Sequence, residues 1–89
     1  MDRTPLQDAS DELRRASEQA NGELRERLQN QSDQLASLAD RSRGPDHGRL
    51  DRHLNALREL EAQLDGEAKT HVENASEAIT EYRSGVAGV

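Results

Sequence analysis

Gln19-Ala20-Asn21-Gly22-Glu23-Leu24-Arg25 and Gln63-Leu64-Asp65-Gly66-Glu67-Ala68-Lys69 decide the fold, and they lie 44 residues apart. Gln, Gly and Glu coincide between them, Asn21 answers Asp65, and Arg25 answers Lys69. Asn-Gly and Asp-Gly are turn dipeptides, because glycine enters left-handed backbone without a Cβ clash. Each therefore marks a corner between two helices. Outward from the corners the same offset places Leu6 on Leu50, Leu13 on Leu57, Arg14 on Arg58, Asn30 on Asn74 and Ser32 on Ser76. Leu28 falls on Val72, Asp33 on Glu77 and Leu35 on Ile79. A repeated spacing of this kind reads as a duplicated helical hairpin, with pseudo-repeats 1–44 and 45–89.

Apolar residues between the corners recur at intervals of three and four, the period of one helical face. Leu6, Ala9, Leu13, Ala16 and Ala20 stripe the first helix, and Leu24, Leu28, Leu35 and Leu38 the second, with Gln31 inserted in its line. Leu50, Leu54, Leu57, Leu60 and Leu64 stripe the third; Ala68, Val72, Ala75, Ile79, Tyr82 and Val86 the fourth. Thr4-Pro5-Leu6-Gln7 reads as a capping box in which Gln7 reaches back to the cap. Gly44-Pro45 stops the second helix and Asp46 caps the third. The predicted helices run about 5–20, 23–42, 47–64 and 67–84, with residues 85–89 a loose tail. The expected fold is all-α: an antiparallel four-helix bundle forming one domain over 1–89. The alternative is one bent helix per half, closed only in a dimer.

Composition narrows the function. Eighty-nine residues leave no room for a cleft between two domains of ordinary size. Without cysteine there is no disulfide, thiolate nucleophile or Cys-ligated metal. No apolar run approaches the ~20 residues of a membrane span, and Met1-Asp2-Arg3-Thr4-Pro5 lacks the order of a signal peptide, so a cytoplasmic, membrane-free protein is expected. Eighteen acids against twelve bases give a formal charge of −6, and eleven of the twelve bases are Arg. That balance suits a GC-rich genome or a salt-rich cytoplasm, and the second is favoured. Only seventeen apolar side chains exceed Ala in size, so self-association or a protein partner would help the fold.

Three histidines invite a metal or acid–base role, and each is read as structural. His53 falls within the third helix's apolar sector and His71 at the edge of the fourth's, at opposite ends of neighbouring helices, where they would not share a metal. A metal held by His47 and His53 with Asp46 or Asp51 is the weakest of the hypotheses. Glu61 lies in the apolar sector and calls for an Arg partner such as Arg14 or Arg27, a partner chain facing it, or an exposed end of the stripe. Gln31 either fixes register by bonding across a seam or borders solvent. Asp11 with Arg15 and Glu23 with Arg27 are spaced as surface pairs. Arg41, Arg43, Arg49 and Arg52, with His47 among them, cluster around the central link and are the candidate contacts for an anion or a partner. Asp40, Asp46 and Asp51 interleave with them and no aromatic stands nearby, which makes nucleic acid an unfavoured ligand.

Asn21-Gly22-Glu23, the link Gly44-Pro45-Asp46-His47-Gly48-Arg49-Leu50 and the run Leu54-Asn55-Ala56-Leu57-Arg58-Glu59 resemble the small uncharacterised helical proteins of halophilic archaea. The resemblance spans nearly the whole chain and implies a salt-rich cytoplasm, but it brings no activity, cofactor or site residue with it. The leading reading is a non-enzymatic helical bundle serving as a protein-interaction or scaffold module. The alternative is an anion- or nucleic-acid-responsive regulator using the Arg cluster. No catalytic residue, cofactor or metal is implied by either.

Overall fold

The computed structural model describes residues 4–40 and 47–84, and within them the chain forms four helices and no strand. These are α1 (Thr4–Glu18), α2 (Gly22–Asp40), α3 (His47–Ala62) and α4 (Gly66–Ser84). The cap at Asp46, the stop at Gly44-Pro45 and the tail at 85–89 lie outside the described residues.

Helices α1 and α3 end two residues before the spacing predicts, and both end the same way. The Gln19 N–H reaches back three residues to the Ala16 carbonyl at 3.1 Å, and the Ala20 N–H to that of Ser17 at 3.2 Å. The Gln63 N–H meets the Leu60 carbonyl at 3.0 Å, and the Leu64 N–H that of Glu61 at 3.1 Å. Bonds of this length tighten the last turn and satisfy carbonyls a helix end leaves open. The chain then reverses through Gly22 and Gly66, each at φ 61°, and these glycines open α2 and α4. Nothing lies within 4 Å of where a Cβ would stand, so the demand for glycine comes from the backbone and not from crowding. At the start of α1 the Gln7 amide donates forward to Asp11 Oδ1 at 3.2 Å.

The stripes turn inward. Leu6, Leu13, Leu28, Leu35, Leu38, Leu50, Leu57 and Leu60 are no more than 1% exposed, and Val72, Ala75, Ile79 and Tyr82 join them in one core. A fully buried leucine contributes ~1.5–3 kcal/mol, so these eight carry most of the apolar driving force. Leu24, Leu54 and Leu64 are only partly covered. Three serines outside the apolar count, Ser10, Ser17 and Ser32, are buried as well. The Ser10 hydroxyl donates to the Ser32 carbonyl at 2.8 Å, and the Ser32 hydroxyl returns a 2.8 Å bond to the Ser10 carbonyl. Because both hydroxyls are satisfied, α1 and α2 approach closely without a desolvation penalty. Ser17 donates to the Arg14 carbonyl at 2.6 Å.

Helix α1 packs against α2 and α4, α3 packs against α4, and α2 and α3 meet least. Side-chain volume explains the difference. The side of α1 that faces α4 is marked by bonds from Glu12 to His71 and from Gln19 to Glu67. By helical period it also carries Ala9 and Ala16, opposite Ala68 and Ala75 of α4. At the positions 44 residues away stand His53, Leu60, Leu24 and Gln31. Four small methyls let α1 and α4 close together, whereas an imidazole, a carboxamide and two leucines hold α2 and α3 apart.

Candidate functional site

Two polar seams flank the core. In the first, Glu12 of α1 is held by three donors. His71 Nδ1 of α4 donates to Oε2 at 2.8 Å, Asn74 Nδ2 donates to the same oxygen at 3.3 Å, and Arg15 Nη1 donates to Oε1 at 2.9 Å. Burial pushes the Glu12 carboxyl up, but the His71 and Asn74 hydrogen bonds and the charges of His71 and Arg15 together outweigh it, and it sits below the usual range. Beside this cluster a groove of about 370 Å³ opens, lined with Asp8, Asp11, Glu77 and Glu81 against the single base Arg15. Glu12 is thus a clamp between two helices, with three donors on its two oxygens.

The second seam lies between α2 and α3. His53, only 6% exposed, stands 2.6 Å through Nδ1 from Gln31 Oε1. A carbonyl oxygen can only accept, so Nδ1 carries the hydrogen. Burial first, and then the charge of Arg49, push the ring below its ordinary pKa and favour the neutral form. Gln31 and His53 form the rim of a cavity of about 210 Å³ together with Gln34, Arg49 and Arg52. Of the residues predicted to contact an anion or partner, Arg49 and Arg52 therefore meet here, both exposed. Arg41 and Arg43 lie outside the described residues; His47 opens α3, and its side chain lies outside them too. His53, Gln31 and Gln34 join a site that the sequence reading centred on the link. Their signal was present in the spacing, since Arg49, Arg52 and His53 fall at i, i+3 and i+4 on one helix side.

Other expectations need correcting. Arg15 pairs with Glu12 and not Asp11, because Glu12 is also anchored across to α4. Arg27 reaches Glu59 of α3 at 3.8 Å and not Glu23, and Glu61 has neither Arg14 nor Arg27 as a partner. Glu61 is partly exposed, the exposed end of the stripe that the sequence also allows. Gln31 bonds across its seam, the register-fixing option. Asp51, a suggested metal ligand with His53, instead pairs with Arg83 of α4 while His53 turns to α2. His53 and His71 bond to different helices. Among the described residues no three His, Asp or Glu side chains converge as metal ligands. Among them, too, no helix is long and apolar enough to cross a membrane.

No curated protein and no solved structure matches the chain. A family model described as a family of unknown function (DUF7553) matches residues 1–85. The match runs through all four helices and both glycine corners. The chain therefore belongs to this family of unknown function.

Proposed function

We propose that the protein is a non-enzymatic scaffold or interaction module, an antiparallel four-helix bundle of two repeated hairpins, 1–44 and 45–89. The observation that carries this reading is where the polar side chains go. Every helix pair in contact has a side-chain bond across it. Ser10 with Ser32 joins α1 to α2, Glu12 with His71 joins α1 to α4, Asp51 with Arg83 joins α3 to α4, and Gln31 with His53 joins α2 to α3. The groups best suited to acid–base work thus serve to hold register. The duplication is supported by the two corners, whose bonds and glycine conformations repeat at the 44-residue offset.

Because the leucine stripes are turned into the chain's own core, a partner meets the charged outer faces. A second copy of the chain and another protein both fit this role. The acidic, Arg-over-Lys surface suits a salt-rich cytoplasm, where ions screen its repulsion. The test is recovery of the tagged chain from its native host beside a Glu77→Lys/Glu81→Lys variant, both sites being exposed. The reading expects a protein held at fixed stoichiometry by the wild type and lost by the variant. Equal background from both, with a small molecule consumed by the purified wild type, would overturn it.

A further inference from the structure

The seam between α2 and α3 has a chemistry opposite to that of the chain as a whole. The protein carries a formal charge of −6, yet among the described residues none lining this cavity is acidic. Arg49 and Arg52 come from the first two turns of α3, where the helix dipole adds positive potential, and Gln31 and Gln34 face them from α2. Guanidinium N–H donors are arranged in a fork that matches an oxyanion, and a carboxamide amino group adds two more. His53 sets the polarity of one carboxamide. Its Nδ1–H takes the Gln31 carbonyl oxygen, which leaves the Gln31 amino group as the end available to a ligand. The volume of about 210 Å³ is below the ~300 Å³ at which clefts begin to take drug-sized ligands. No Phe, Tyr or Trp is among the described residues that line it.

We propose that this seam binds a compact phosphate-type oxyanion, gripped by Arg49 and Arg52 of α3 and by the carboxamides of Gln31 and Gln34 of α2. His53 is a positioning residue that orients Gln31. The anion would link the two helices that otherwise touch least, so that binding tightens the loosest seam of the fold. The inference is independent of the scaffold reading.

The test is a titration of the full chain with inorganic phosphate at constant ionic strength, followed by amide and side-chain NMR, with chloride as the matched control. The expected result is saturable binding in the millimolar range, with shifts concentrated at residues 31, 34, 49, 52 and 53. Arg52→Gln, at an exposed position, should weaken it at least tenfold, and Arg25→Gln, exposed and outside the cavity, should leave it unchanged. His53→Gln, which still offers an N–H to Gln31, should bind within about twofold of wild type by the same donor argument. His53→Leu should lose most of the affinity while remaining helical. Linear shifts spread over the surface would overturn the proposal. So would equal affinity of the Arg25 and Arg52 variants, or a single-stranded oligonucleotide that saturates the seam where inorganic phosphate does not.

Discussion

Lowering the pH from 7.5 to 5.5 should destabilise the fold through His53, and the substitution His53→Gln should remove most of that loss. The ring is 6% exposed and its Nδ1–H already bonds to Gln31, so a second proton would add charge in a poorly solvated place beside Arg49. The folded pKa is therefore depressed below the ordinary 6.5, and the unfolded chain binds more protons as the pH falls through that value. Stability is whole above pH 6.5 and declines below it until the folded pKa is reached. One group can contribute at most about 1.4 kcal/mol per pH unit. With a urea dependence near ~1 kcal/mol per molar for a chain this small, the unfolding midpoint should fall by up to about 1.4 M across each unit. His53→Gln is the informative variant because its amide keeps a donor for Gln31 Oε1 without titrating. Urea unfolding followed by circular dichroism at pH 7.5, 6.5 and 5.5 measures both slopes. Equal slopes for wild type and His53→Gln would refute the reasoning.

Glu12 acts at lower pH. Its depressed carboxyl contributes stability that is present above the unfolded value near 4.5 and lost as pH falls through the folded one, so Glu12→Gln should flatten the acid limb below pH 4.5, as acid titration of ellipticity would record. The same variant should cost about 1–2 kcal/mol at neutral pH in urea unfolding, since three donors lose a charged acceptor. Gly22→Ala and Gly66→Ala should each cost roughly 1–2 kcal/mol and, being symmetric in conformation, should agree with each other within about 0.5 kcal/mol in the same assay. Ser10→Ala and Ser32→Ala should couple by at least about 0.5 kcal/mol in a double-mutant cycle, additivity being the contrary result.

What could be read from the sequence follows from what is local in it. The stripes from Leu6 to Tyr82 were legible because helical period alone sends Leu13 or Leu57 inward, whatever the neighbouring helix contributes. The corners were legible because glycine at φ 61° answers to backbone sterics and nothing else. The burial of Ser10 and Ser32 was not, since their hydroxyls are satisfied by carbonyls 22 residues away and only the register of α1 on α2 brings those together. Glu12 was hidden for the same reason. Asp11 and Glu12 are both within reach of Arg15, and the choice is made by His71, which lies across a seam. The candidate anion site was half legible. Arg49 and Arg52 came from charge clustering, while Gln31, Gln34 and His53 required knowing that α2 lies opposite α3 and that this seam stays open.

The central claim is that each hairpin lacks a face which the other supplies. Leu13 and Leu35 lie in one hairpin, Leu57 and Ile79 in the other, and all four are wholly buried in one shared core. Peptides 1–44 and 45–89 test it directly, measured separately and mixed at equal concentration by circular dichroism at 222 nm. The account predicts little helix in either alone and a cooperative gain that saturates at one to one. Full helicity and a cooperative melt for 1–44 alone, unchanged on adding 45–89, would contradict it.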